Sequence, residues 1–190
     1  MERIRCTRVR EVELPSRNNP GDAGLDFYMP TDLTISDLIN ANSKVEDVCY
    51  SQNFAGVGNF SCIINDEKVH QLIIGPRTRI IIPSGIKVLL EPEASMMMAA
   101  NKSGRSTKQG LIFTAEICDS PYNGEYHLGI YNTTSRQQVI TAGEAVVQFI
   151  HTPVYLSQVE EISNEEYKEE AETWGTRGEK GMGSGNNKKK

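Results

Sequence analysis

The chain has 190 residues, 38% hydrophobic and 24% charged, which fits an ordinary globular domain and excludes disorder over its whole length. Its 20 Lys+Arg against 25 Asp+Glu leave a net charge of −5, which argues against a general nucleic-acid binder with a basic face. No apolar run approaches the roughly 18 residues of a membrane helix. The opening MERIRCTRVREVEL has no apolar h-region, so a cytoplasmic protein is expected. The four cysteines, Cys6, Cys49, Cys62 and Cys118, form no CxxC pair and read as reduced, partly buried thiols.

In chain order, Ala23-Gly24-Leu25-Asp26-Phe27-Tyr28 alternates polar and apolar residues, which puts Asp26 on one strand face and Leu25 and Phe27 on the other. Leu33, Ile35, Leu38 and Ile39 have a weak helical spacing and open a segment that continues through NFAGVGNF to the strand-like SCIINDEKVHQLII. This stretch, 33–74, reads as an inserted arm or hairpin, because about forty residues bury too little core to stand alone. Ile80–Ile82 and Ile86–Leu90 flank Pro83-Ser84-Gly85, a pattern that predicts strand, tight turn, strand. Apolar runs recur at Leu111–Phe113, Tyr126–Tyr131 and Ala145–Ile150, with turn residues at 132–135 and 141–143 and room for a short helical turn near Ser106–Gln109. Such spacing predicts an all-β sandwich or barrel of jelly-roll type. Acidic residues crowd Glu160–Glu172, and five glycines fall in the last sixteen residues. The expected organisation is therefore one β domain over 1–174, with the insertion at about 33–74, and a flexible Gly-rich tail over 175–190.

Four clusters carry candidate chemistry. Asp26 suits either a metal reached through water or pairing with a nearby cation. Asn101-Lys102-Ser103-Gly104 sets a cation, a hydroxyl and open backbone at a strand end, a combination that suits phosphate oxygens but lacks the Walker A spacing. Asp119 follows an apolar strand and precedes Ser120-Pro121-Tyr122-Asn123-Gly124, read as a hairpin turn. A carboxylate there could deprotonate a water or simply bond its own turn. In Arg177-Gly178-Glu179-Lys180-Gly181-Met182-Gly183-Ser184-Gly185, glycines let backbone N–H groups approach an anion, and Arg177 can grip a phosphate with two donors.

Together, these clusters and Gly143–Ile150 resemble the five ordered motifs of the trimeric dUTPase family. AGLDFY stands where the family carries AG-Y/L-DL, and PSGIKV resembles the strand before its second motif. NKSG stands for PRSG, CDSPYNG for I/V-D-x-x-Y-x-G, GEAVVQFI for GDR-I/L-A/V-Q-L/M-I/V, and RGEKGMGSG for RGxGGFGSTG. The resemblance covers 1–32 and 75–185. It implies a β jelly roll assembled as a homotrimer, with each active site built from three subunits. The implied reaction is Mg2+-dependent hydrolysis of dUTP to dUMP and pyrophosphate.

Carried over by position, Asp119 is the base that activates water for attack on the α-phosphorus. Tyr122 packs under the deoxyribose and excludes a 2′-hydroxyl. The strand around Ala115–Cys118, with Ile117, reads the uracil edge through its backbone. Lys102, Ser103, Gly104 and Gln148 bind phosphates or support that site, and Asp26 contacts metal-bound water. Arg177, Gly181, Met182, Gly183 and Ser184 close over the substrate from another subunit and exclude water.

Three positions depart from the family pattern. Lys102 replaces an arginine and loses its planar fork. Met182 replaces an aromatic lid and covers the base with less defined geometry. Glu116 replaces a small glycine and either narrows the base pocket or points outward. Rival readings are a pyrophosphatase for a modified deoxyuridine triphosphate, a dCTP deaminase-like enzyme with Glu116 as its base, and a non-catalytic module that binds a protein partner through 33–74.

Overall fold

Burial alternates residue by residue over 25–28, 86–91 and 95–100, the mark of strands with one face in a core. The computed structural model describes residues 3–44, 50–51, 56–57, 60–91 and 93–174. The elements are β1 (Arg3–Arg8), β2 (Leu25–Tyr28), α1 (Ile35–Asn42), β3 (Tyr50–Ser51), β4 (Gly56–Val57), β5 (Phe60–Asn65), β6 (Lys68–Ile74) and β7 (Arg79–Glu91). They continue with β8 (Ser95–Ala100), a π-helical turn (Gly104–Lys108), β9 (Leu111–Phe113), β10 (Ile117–Asp119), β11 (Glu125–Asn132), β12 (Gln138–Thr141), β13 (Ala145–Pro153) and α2 (Asn164–Trp174). Met1–Tyr155 and Leu156–Lys190 form two compact units. The described part of the second holds α2, whose first turn carries Glu165 and Glu166 and which buries no residue.

In the first unit, two four-stranded antiparallel sheets, β1-β7-β11-β9 and β10-β8-β13-β2, share one core. Phe27 and Phe149 of the second sheet meet Phe113 and Tyr126 of the first, with ring centroids 5.6 to 6.0 Å apart across the sheets. Each fully buried Phe adds about 1.5–3 kcal/mol of burial energy. The all-β, jelly-roll-like fold expected from the spacing is the fold observed.

Two expectations are corrected. Pro83-Ser84-Gly85 is not a turn between two strands, because β7 runs unbroken from Arg79 to Glu91. Gly85 takes a positive φ of 73°, so the strand bends there instead of reversing. Before the bend β7 pairs mainly with β11, and after it with β1. Likewise, Asp119 and Glu125 do not flank a hairpin. β10 pairs with β8, whereas β11 pairs with β7 and β9, so this turn crosses between sheets.

The inserted segment is more deeply built in than a surface arm. Leu33, Leu38, Val69, Leu72 and Ile74 are fully buried in the common core. α1 starts from a capping box, in which the Thr34 side chain accepts from the Asp37 N–H and Asp37 accepts from the Thr34 N–H. β5 and β6 form the expected hairpin through Asp66-Glu67, and β12 adds to β6 in a five-stranded sheet, β12-β6-β5-β4-β3. The sequence NFAGVGNF lies largely outside the described residues.

At the end of α1, buried Asn42 donates to Leu38 O and Ile81 O (2.8 Å each) and accepts from Ile81 N–H (2.9 Å). Asn42→Leu keeps the volume but strands both backbone groups of Ile81. The expected loss is about 2–3 kcal/mol in urea unfolding. A loss below about 0.5 kcal/mol would show that these bonds do not hold the segment to β7.

Candidate functional site

Register brings the first cluster together. β13 sets Gln148 opposite Ala100 of β8 on one side and Asp26 of β2 on the other. Gly24 is buried beside Gln148, and a Cβ at that position would press on the Gln148 side chain and force its amide to move. Gln148 Nε2 donates to Asn101 O at 3.1 Å, and Asn101 Oδ1 accepts from the Phe113 N–H at 2.6 Å. Just beyond, Lys102 Nζ lies 2.5 Å from both carboxylate oxygens of Asp26, with the two side chains 27% and 14% exposed. Asp26 thus pairs with a cation, Lys102, in this chain.

Lys102 leads into the π-helical turn, a rare geometry that recurs at functional sites. The N–H and hydroxyl of Ser106 both donate to Lys102 O, at 2.9 and 3.1 Å. Ser103 is exposed and its hydroxyl caps nothing, while its carbonyl accepts from the Thr107 hydroxyl. Gly104 faces open space.

Arg105, which sequence reasoning missed, braces this turn. It donates to Ala145 O at 3.2 Å and Gln109 Oε1 at 3.0 Å, and pairs with Glu144 Oε2 at 3.0 Å. Glu144 also accepts from the Thr141 N–H at 2.8 Å. Burial pushes the Glu144 carboxyl up, but the Thr141 N–H and the Arg105 guanidinium outweigh it and hold the group below the ordinary carboxylate range. No local pattern announces this pair, since its members lie 39 residues apart.

The second cluster lies on β10 and the turn after it. Asp119 is exposed, and among the described residues its carboxylate accepts no hydrogen bond. Its carbonyl accepts from the Tyr122 N–H at 3.0 Å. Tyr122 is 45% exposed, lies over Gly124, and donates its hydroxyl to Glu125 O at 2.9 Å. Behind it Tyr126 is buried, its hydroxyl without a hydrogen-bond partner among the described residues, 6.0 Å from the Tyr122 ring by centroids. Burial and the Asp119 charge push the partly buried Cys118 thiol up to about 11, so it stays neutral beside the carboxylate. Burial does the same for Cys62, also to about 11, whereas Cys6 is exposed rather than partly buried. Ile117 and Glu116 are exposed, and Glu116 O accepts from the Ala99 N–H at 2.6 Å.

The two clusters do not meet within one chain. Asp119 pairs with Met96 at one end of β8, and Gln148 with Ala100 at the other. Four residues at the rise of a strand separate them by roughly 13 Å along the sheet. Arg177, Gly181, Met182, Gly183 and Ser184 lie outside the described residues. Among the described residues no three metal-binding side chains gather, so these residues offer no cage for Mg2+. Asp26 fits such an ion only through water, as one carboxylate beside an ion carried by phosphates.

A jelly-roll-like β domain that presents a lysine–hydroxyl turn and, apart from it, an uncommitted carboxylate beside a tyrosine is suited to a phosphorylated ligand. A family model described as dUTPase matches residues 68–184, and the chain belongs to that family. It is 28% identical over 160 residues to the deoxyuridine 5′-triphosphate nucleotidohydrolase of Hydrogenovibrio crunogenus, covering 82% of this chain and 80% of that protein. Among solved structures, a mutant dUTPase of Staphylococcus bacteriophage 80alpha with dUpNHpp superposes with a TM-score of 0.66 at 17% identity, over 96% of this chain and 98% of that one. A mutant dUTPase of phage phi11 of S. aureus, in which a structural Mg(II) ion is coordinated, superposes at 0.60 with 14% identity, over 85% and 97%.

Glu144 offers a pH test. A carboxyl held below its ordinary value of 4.5 contributes stability that is full above that value and fades as pH falls through the lowered one. Glu144→Gln is expected to flatten the acid limb of unfolding free energy followed from about pH 7 to about pH 3. An unaltered acid limb would mean that Arg105 and Thr141 do not hold the carboxylate specifically.

Proposed function

We propose that this dUTPase-family chain hydrolyses dUTP to dUMP and pyrophosphate as a Mg2+-dependent homotrimer. The observation that carries the catalytic assignment is the Asp119 carboxylate, which is exposed, free of hydrogen bonds among the described residues, and set on the same turn as Tyr122. Asp119 takes a proton from a water whose oxygen bonds to the α-phosphorus as the bond to the pyrophosphate oxygen breaks. Positioning of that water supplies much of the rate. Tyr122 packs under the deoxyribose, and the backbone around Ile117 reads the base. Lys102, Ser103, Gly104 and Gln148 receive the phosphates, and the Arg177–Ser184 tail closes over them. Mg2+, when bound, neutralises phosphate charge and aligns the triphosphate, with Asp26 reaching its hydration shell.

Assembly is supported by the separation of the two clusters. A carboxylate on one end of β8 and a phosphate turn beyond the other end suit a site to which different chains supply them. Tyr155 in the first unit, and Leu156, Val159, Tyr167 and Trp174 in the second, are large apolar side chains that their own unit does not bury, as expected if another copy covers them.

The decisive assay is pyrophosphate release from dUTP, UTP, dTTP and dCTP, with Mg2+ and with chelator. Release from dUTP alone, abolished by chelator, is expected. Release from none would overturn the proposal. Asp119→Asn should cut turnover by about 10²-fold or more while dUTP still binds. Undiminished turnover would remove Asp119 from the role of base. If sites are shared, mixing inactive Asp119→Asn and Gln148→Ala chains should restore part of the activity, because some mixed sites draw both motifs from intact copies. No recovery in verified mixed trimers would place the whole site in one chain.

A further inference from the structure

A run of hydrogen bonds joins α1, the first element of the inserted segment, to the turn that carries Tyr122. The N–H and hydroxyl of Thr34 donate to Asp37 Oδ2 at 2.9 and 2.8 Å. Asp37 Oδ1 lies 2.9 Å from Arg10 Nη1, and Arg10 Nε donates to Glu125 Oε1, also at 2.9 Å. The same Glu125 oxygen accepts from the Gly85 N–H at 2.7 Å, and the Glu125 carbonyl accepts from the Tyr122 hydroxyl at 2.9 Å. The Arg10, Asp37 and Glu125 side chains are only 20%, 26% and 16% exposed, so these are shielded contacts rather than a solvated surface pair. Burial works against the Arg10 charge, yet Glu125 and Asp37 more than offset it.

The run ends where the backbone alone does not fix the geometry. β11 shifts register between Glu125 and His127, so no regular ladder holds Glu125 on both sides. The Tyr122 ring, nearly half exposed, rests on Gly124 and beside Tyr126, and its hydroxyl is anchored on Glu125 O. Whatever orients Glu125 therefore orients Tyr122. Arg10 does so by bridging Glu125 to a capping-box aspartate whose own place is set by α1.

We infer that Arg10 is a positioning residue for the Tyr122 ring: by tying Glu125 to helix α1 it sets the surface on which the deoxyribose packs, and with it the exclusion of a 2′-hydroxyl. This rests on Tyr122 being the sugar-packing residue. The inserted segment thereby contributes to substrate selectivity without touching substrate.

The test compares kcat/KM for dUTP and UTP, with thermal unfolding measured for every variant. Arg10→Gln is expected to lower the dUTP/UTP ratio about tenfold, and Arg10→Lys, which keeps the charge but not the fork, by less. In the Tyr122→Phe background, where the hydroxyl link is already gone, Arg10→Gln should lower the ratio further by no more than about twofold. Ile140→Val, which opens a small cavity in β12 away from α1 and the Tyr122 turn, should retain the wild-type ratio, which separates positioning from loss of stability. Should Arg10→Gln fail to fold, Asp37→Asn removes the other end of the bridge and carries the same expectation. A folded Arg10→Gln or Asp37→Asn protein with the wild-type ratio overturns the inference, provided that Tyr122→Ala still lowers it. An unaltered ratio in Tyr122→Ala overturns the sugar-packing role itself, and the inference with it.

Discussion

β7 changes partners at Gly85, and most of what surrounds the Tyr122 turn follows from that bend. A Cβ there would sit 2.9 Å from both Arg10 Cβ and Val12 Cγ1, and the positive φ disfavours any side chain regardless of space. The two backbone groups of Gly85 are both used: its carbonyl accepts from the Val9 N–H at 2.8 Å and its N–H donates to Glu125 at 2.7 Å. One residue therefore fastens the chain after β1 to β7 and the start of β11 to the same point. Arg10, one residue past Val9, is delivered to Glu125 by this geometry, although the two lie 115 positions apart.

The inserted segment is held by buried polar groups as well as by its apolar face. Asn42 satisfies Ile81 of β7 at one end. At the other, buried Asn132 donates its two amide N–H groups to Gly75 O and Arg136 O, with Ile74 O sharing one of them, and accepts from Thr134. An unpaired amide in either place would cost roughly 1–3 kcal/mol, so each bond set also disfavours alternative packings. With Leu33, Leu38, Leu72 and Ile74 in the common core, the segment is a structural part of the domain, and a chain without it would have to close that core in another way.

What the sequence made legible was the placement of candidate residues carried by short, local patterns. Asp26, Lys102, Asp119, Tyr122 and Gln148 each stand in a motif whose strand or turn can be read from its neighbours, and the alternation through Leu25 and Phe27 placed Asp26 on its proper face. The α1 spacing and the β5–β6 hairpin were equally local. Pro83-Ser84-Gly85 misled because the same residues that make turns also make bends, and only the partners of β7 distinguish the two. Arg10, Arg105, Glu125 and Glu144 were invisible as partners, because each pairing is fixed by the tertiary fold. Thr34 and Asp37 did leave a trace, a capping-box spacing at the head of the helical pattern, but nothing in it points to Arg10.

The two clusters differ in how they are held, and the difference bears on a site shared between chains. Lys102 directs two of its three ammonium protons to Asp26, which leaves one uncommitted; an arginine in the same pairing would keep three of its five donors. The turn behind Lys102 is braced independently, by Arg105 against Glu144 and Ala145. The Tyr122 turn is braced by Arg10 through Glu125. On the shared-site reading neither cluster can use the other as a template before the chains meet. Productive chemistry tolerates misplacement of only about 0.5 Å, so each cluster must be rigid within its own chain. Two separate charge-assisted networks, each ending at one cluster, meet that requirement.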